Sequence, residues 1–269
     1  MRKPPGRYPR QDHEERMGRM TGKEIRLERL FSRGKAVVVA LDHGGYMGPV
    51  AGVVNLPEAI TQFAEADAIL VNPHMATQCG QFFAHRDAPL MIVRINWGSH
   101  YCPYFTEGYG PRTATVRRAV SVGADLVIVS LLLGVNERAH ADNIELLGQL
   151  YEESETLGIP LIGEFIPVEG VHGKATDDEV VRVSVRLAAE VGVDAVKTVR
   201  TPGFKSVVEA VPVPVFALGG AKMKSEEDAL QFARESLAEG AAGVVYGRNV
   251  FQAENPQDFL HQLRVVVKD

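Results

Sequence analysis

The chain has 269 residues, 45% hydrophobic and 23% charged, with a formal net charge of −5. This is an ordinary globular composition, and its acidic balance argues against nucleic acid as a partner. No apolar run reaches the roughly 18 residues of a membrane span, so no membrane partner is expected either.

Residues 1–20 are rich in Pro, Arg and Glu without hydrophobic periodicity and read as a mobile N-terminal arm. They lack the apolar core of a signal peptide. Cys79 and Cys102 lie in no CxxC motif and suit a reduced, cytoplasmic protein. No composition break follows, so residues 21–269 read as a single domain. A short helix over Lys23–Phe31 opens it.

A rhythm then sets in. Ala36–Leu41 is a continuous apolar run, the mark of a strand buried on both faces, and it ends in Asp42-His43-Gly44-Gly45. Pro57 opens a helix to Ala66, since proline is tolerated in the first turn. Further strands are expected at Asp67–Asn72, Leu90–Asn96, Asp125–Leu131, Pro160–Ile166, Val193–Val199, Pro214–Leu218 and Gly243–Tyr246. Helices are expected between them at Met75–Phe83, Thr113–Val122, Glu137–Leu157, Thr176–Val191, Phe204–Ala210 and Ser225–Glu239, with Pro256–Val267 closing the chain. Thr176 and Ser225 carry the spacing of helix caps. A loop rich in aromatics (Trp97, Tyr101, Tyr104, Tyr109) and glycine follows the third strand. Strands alternating with helices imply a parallel sheet. Eight such units predict an α/β fold, the TIM (β/α)8 barrel. The competing open sheet would show a GxGxxG turn after its first strand, and Asp42-His43-Gly44-Gly45 lacks that spacing.

In such a barrel, chemistry gathers at the C-terminal strand ends. Read in order, those ends carry Asp42 and His43, Asn72 and His74, Arg94 and Asn96, Ser130, Glu164, Lys197, Gly219-Gly220 and Gly247-Arg248. Lys197 shares a strand face with Val193 and Ala195. Burial disfavours a charged ammonium, and a neutral amine can form a Schiff base with a carbonyl substrate. The alternative is a lysine that reaches solvent or pairs with a carboxylate. Glu164, between Gly163 and Phe165, is expected to have a raised pKa and to serve as general acid or base, or else to pair with Arg94 or Lys197. Asp42 is a candidate to hold a substrate hydroxyl or the Lys197 ammonium, with a turn residue as the alternative. His43 is expected on the opposite strand face from Asp42. His43 and Arg94 are candidate substrate contacts.

Gly219, Gly220, Gly247 and Arg248 follow strands seven and eight, where TIM barrels often hold phosphate. Glycine turns let backbone amides approach an anion, and Arg248 adds a charge-assisted contact. A phosphorylated small molecule is the expected partner. Asp42, His43, His74, His100 and Glu164 are metal-capable types without a tight ligand spacing, so no metal and no other cofactor is expected.

The runs Leu41-Asp42-His43-Gly44, Asp194-Ala195-Val196-Lys197-Thr198, Gly219-Gly220 and Gly243–Gln252 resemble the archaeal-type class I fructose-bisphosphate aldolases. That superfamily also holds aminodideoxyheptulosonate synthase and a thiolase acting on phosphorylated autoinducer breakdown products. The resemblance covers about residues 22–268. It implies a metal-independent Schiff-base lyase in which Lys197 forms the imine, Asp42 assists, and Gly219, Gly220, Gly247 and Arg248 hold the phosphate. It also implies a homo-oligomer, a pentamer or a decamer built of two rings.

The chain departs from the family at strand five. Counting back from Lys197, the proton-transferring tyrosine is replaced by Ile166, an aromatic residue by Glu164, and an arginine by Val168. Isoleucine moves no proton, and the second phosphate contact is lost with the arginine. The expected substrate is therefore a singly phosphorylated ketose or related keto compound, with Glu164 taking over the acid–base work. The thiolase branch also lacks the tyrosine. Lys197-Thr198, Gly203-Phe204 and Pro212-Val213-Pro214-Val215 resemble that branch, which would transfer an acyl group from a phosphorylated diketone to coenzyme A. A non-catalytic phosphosugar-binding barrel is the third reading.

Overall fold

The computed structural model describes residues 20–98, 102, 110–131, 136–167 and 177–269. Eight parallel strands close into a barrel: β1 (Ala36–Ala40), β2 (Ala68–Val71), β3 (Leu90–Arg94), β4 (Leu126–Leu131), β5 (Leu161–Phe165), β6 (Ala195–Val199), β7 (Val215–Leu218) and β8 (Gly243–Tyr246). β8 pairs with β1 through Ala36 opposite Gly243 and Val38 opposite Val245. This is the predicted TIM barrel. Among the described residues no helix is long and apolar enough to cross a membrane.

Strand alternation sorts the apolar residues into two cores. Val38, Ala40, Leu70, Ile92, Ile128, Ile162, Ala195, Phe216 and Val245 fill the barrel interior. Val37, Val39, Ile69, Val93, Val127 and Val196 face outward and pack under the helices. Lys197 is two residues beyond Ala195, and Glu164 two beyond Ile162. Both therefore point into the barrel at its C-terminal end.

Most helices lie where the periodicity places them, including Glu137–Leu157, which starts at the Asn136 cap and stops at Gly158 in a left-handed conformation (φ 62°). Ser225 caps Glu226–Ala238 as expected. The expected cap at Thr176, the N-terminal arm and most of the aromatic loop lie outside the described residues. Three readings are corrected. The helix after β1 tightens into a 3-10 turn over Ile60–Phe63. The helix after β2 breaks at Cys79 into Pro73–Gln78 and Gly80–Phe83. Two four-residue helices, Gly44–Met47 and Arg248–Phe251, were not expected, being too short to show a period.

At the N-terminal end of the barrel one device recurs. Asp67, Asp125 and Asp194 each stand directly before an even-numbered strand. Each donates its own N–H to the carbonyl of the preceding strand's first residues, at Val37, Met91 and Leu161. Each carboxylate then accepts the N–H of that same residue, at 2.7, 2.9 and 2.8 Å. A cation completes each unit: Lys268 on Asp67, Arg29 on Asp125 and Lys23 on Asp194. Backbone groups at strand starts are thereby paired before the sheet ladder begins.

Candidate active site

The site grows from the register of β4, β5 and β6. Ser130 lies opposite Glu164, and Glu164 opposite Lys197, all on the inner face. Lys197 Nζ pairs with Glu164 Oε1. The other carboxylate oxygen accepts from Arg94 Nη2 at 2.6 Å and from Ser130 Oγ at 2.8 Å. Arg94 also donates through Nη1 to Ser130 Oγ and through Nε to Asp42 Oδ2. Asn96 and Ser130 exchange two hydrogen bonds of 2.8 Å, extending the β3–β4 pairing beyond Arg94 by means of a side chain.

The result is a buried chain of alternating charge: Asp42, Arg94, Glu164, Lys197. Its formal sum is zero, which is what makes burial of four ionised groups tolerable. Glu164 is 2% exposed and Asp42 fully buried, while Lys197 keeps 7% exposure at the mouth of the network.

This arrangement corrects three expectations. Burial alone would raise the Glu164 pKa, as foreseen, but the charges of Arg94 and Lys197 and the hydrogen bonds from Lys197 and Ser130 outweigh it and hold the carboxyl far below the usual range. The ion-pair alternative is the one the structure shows. Asp42 does not reach Lys197; its partners are Arg94 and, at 3.7 Å, His43. Arg94 is no surface for substrate. At 2% exposure, and bonded to Asp42, Ser130 and Glu164, it is the hub of the network.

Above Lys197 opens a cleft of about 290 Å³, lined by His43, Tyr46, Met47, Glu164, Ile166, Lys197, Leu218, Gly220, Gly247 and Arg248 among others. His43 reaches it by a route that strand alternation does not predict. β1 ends at Ala40, and His43 has helical backbone angles (φ −56°, ψ −34°) that swing its ring toward the cleft. The four glycine-turn residues divide. Gly220 (φ 65°), Gly247 and Arg248 line the cleft; Gly219 packs where a Cβ would stand 2.6 Å from the Tyr246 ring. Lys222 and Lys224 are exposed. Ile166 lines the cleft, and Val168 lies outside the described residues.

Three contributors escaped the sequence reading. Ser130 and Asn96 were visible only as polar strand ends. Asn249 follows Gly247-Arg248 and is 2% exposed. Its Nδ2 donates to Gly219 O (3.0 Å) and Ala221 O (3.1 Å), and its Oδ1 accepts from Met223 N (2.8 Å), so it ties the two glycine turns together. A polar residue closing a glycine turn was the available signal. Among the described residues no three His, Cys, Asp or Glu side chains come together as a metal site would need.

Comparison with known proteins decides the family. The DeoC/LacD family aldolase description matches residues 36–253. The chain belongs to the DeoC/LacD aldolase family. It is 34% identical over 261 residues (93% of this chain, 96% of the relative) to an uncharacterized aldolase of Saccharolobus solfataricus. It is 30% identical to a 2-amino-3,7-dideoxy-D-threo-hept-6-ulosonate synthase of Archaeoglobus fulgidus, over 92% of each chain. A solved structural neighbour is an archaeal fructose-1,6-bisphosphate aldolase with its catalytic lysine bound to a carbinolamine intermediate. It has a TM-score of 0.78 and 28% identity, and the match covers 91% of this chain and 99% of that one. The DeoC/LacD chain thus has Schiff-base-forming aldolases as structural neighbours.

Proposed function

We propose that the protein is a Schiff-base lyase that makes or breaks a carbon–carbon bond in a singly phosphorylated ketose or related keto compound. The observation that carries this reading is the seat of Lys197, on the floor of the cleft, paired with Glu164 and facing Gly220, Gly247 and Arg248. Lys197 Nζ attacks the substrate carbonyl, and loss of water gives an iminium. Glu164 stays ionised beside that cation and keeps the imine nitrogen protonated, the form that can accept the electron pair of the breaking C–C bond. Arg248, whose Nε is buried without a partner among the described residues, and the amides of Gly220 and Gly247 hold the single phosphate. Ile166 sits in the cleft wall, so the end of the substrate opposite the phosphate meets an apolar surface rather than a second anion clamp. We further place the enzyme in the cytoplasm as a homo-oligomer, on the family resemblance and its free cysteines.

Borohydride reduction in the presence of dihydroxyacetone phosphate, or of a small panel of phosphoketoses, tests the reading. The expected result is an adduct on the Lys197 peptide by mass spectrometry. A folded protein that binds these compounds and yields no adduct would favour a non-catalytic phosphosugar-binding barrel. Ile166 at the tyrosine position also suits the acyltransferase branch. Products that change only when coenzyme A is added would move the assignment there.

A further inference from the structure

The network leaves one step unassigned. Lys197 must lose a proton to attack a carbonyl, and aldol chemistry must then move a proton between substrate hydroxyl and carbon. The titratable side chains lining the described cleft are His43, Tyr46, Glu164, Lys197 and Arg248. Lys197 is the reacting group, and Arg248 is charged at any working pH. Glu164 is committed to Arg94, Ser130 and Lys197, which hold its carboxyl ionised. His43 and Tyr46 remain.

His43 has a carboxylate behind it. His43 Nδ1 and Asp42 Oδ1 face each other at 3.7 Å, both buried, and neither has a hydrogen-bond partner among the described residues. Arg94 pins the other oxygen of Asp42, so the carboxylate cannot turn away. The imidazole is held edge-on by Phe251, with ring centres 5.1 Å apart, and flanked by Tyr46 at 5.7 Å. With Nδ1 turned inward, the Cε1–Nε2 edge lies against Gly247 in the cleft wall. A Cβ there would stand 2.3 Å from Cε1 and 2.8 Å from Nε2, so the glycine makes room for the ring. Burial lowers the His43 pKa; Asp42 opposes this, and Lys197, Arg248 and Arg94 reinforce it, so the ring rests as a neutral base.

On the reading that Lys197 carries the substrate as an imine, we propose that His43 is the proton-transfer residue of this enzyme and that Asp42 is the positioning residue that sets its tautomer. Asp42 accepts from Nδ1–H, which leaves the Nε2 lone pair for the substrate. In the cleavage direction Nε2 takes the proton of the hydroxyl β to the iminium. The O–H pair becomes the second bond of the leaving aldehyde, and the broken C–C pair flows into the iminium to give an enamine. The imidazolium returns its proton to the enamine carbon, and water releases the ketone and Lys197. The step balances without a cofactor. The 3.7 Å gap is of the kind that closes to a hydrogen bond when substrate binds.

Two measurements on the full chain test this. Nitrogen NMR of histidine-labelled protein near neutral pH, with the His43 signal assigned by its loss in His43→Gln, should show the proton on Nδ1. Asp42→Asn should abolish that preference. A wild-type proton on Nε2, or a preference unmoved in Asp42→Asn, overturns the proposal. The second measurement is exchange of the α-hydrogens of dihydroxyacetone phosphate in deuterium oxide, paired with borohydride trapping. His43→Gln should trap as much adduct on Lys197 as wild type yet exchange at least about a hundredfold more slowly, while Tyr46→Phe, which keeps the ring beside His43, should slow exchange far less than His43→Gln does. Exchange retained in His43→Gln, or lost in Tyr46→Phe instead, sinks the assignment. A wild type that traps no adduct breaks the imine reading, and the tautomer then decides the Asp42–His43 pair by itself.

Discussion

The two ends of the barrel use the same residue types to opposite purposes. At the N-terminal end, Asp67, Asp125 and Asp194 each spend an oxygen on a backbone N–H and pair with one cation. Each unit is local and independent of the others. At the C-terminal end, Asp42 and Glu164 have no such backbone bond among those described; they share Arg94, and Glu164 passes its second oxygen to Lys197. Carboxylates bonded to backbone hold strands in register. Carboxylates bonded only to side chains hold an amine at a cleft. The partner of the carboxylate, not its burial, separates architecture from chemistry.

The sharpest way to break that contrast is to remove the amine. Lys197→Met leaves Glu164 bonded to Arg94 and Ser130, so the chain should still fold. Borohydride trapping should vanish and turnover should fall by roughly a thousandfold or more. A variant that retains turnover within an order of magnitude would show that the C-terminal network is, like the other end, only a scaffold.

Glu164→Gln attacks the network itself. Removing one partner of a buried ionic set costs about 3–5 kcal/mol, because Lys197 loses its carboxylate and the network, with Arg94 still paired to Asp42, is left with a net positive charge. The denaturation midpoint should fall accordingly. The pH dependence follows from the depressed folded pKa of Glu164. Its stabilisation is complete above the unfolded glutamate value of about 4.3 and shrinks as pH falls below that value toward the depressed folded one. The gap between wild type and variant should therefore be constant from about pH 6 to 8 and narrow steadily below about pH 4. A gap that widens in acid would mean that the carboxyl is protonated in the folded state, as the sequence reading supposed.

That reading failed at Glu164 for a physical reason. The apolar neighbours Gly163 and Phe165 are adjacent in sequence, whereas Arg94, Ser130 and Lys197 arrive from three other strands, so desolvation was legible and the compensating charges were not. The barrel was legible because its signal is local: apolar runs such as Val37–Val39 ending in polar residues, repeated down the chain. Lys197, Arg248 and Gly220 could be placed at the cleft from that rhythm alone. His43 was a candidate substrate contact, but alternation placed its ring on the wrong face, because a helical turn at residue 43 interrupts the pattern that would have sent it outward. Arg94 looked like a ligand contact because strand ends near a site look alike until their partners are counted. The three bottom aspartates went unread for the complementary reason. Each was counted as part of a strand, at Asp67, Asp125 and Asp194, and the backbone bond that gives it meaning crosses to a neighbour.

The smallest expected effect probes that bottom face. Asp194→Asn keeps an oxygen that can accept from Leu161 N–H, at 2.8 Å in the native chain, but loses the charge facing Lys23. Lys23 is 7% exposed and retains Glu155 at 2.5 Å and the face of Tyr151 at 5.3 Å, so its desolvated ammonium is not left alone. The loss should therefore be about 1–2 kcal/mol, less than removal of a sole partner would cost. Thermal denaturation should show that loss, while turnover and the yield of trapped Lys197 adduct stay at wild-type levels. Asp194 and Lys197 are three residues apart on the same strand segment. A change in trapping caused by Asp194→Asn would mean that strand register, and not the side-chain network alone, places the amine, and the division between the two ends would no longer hold.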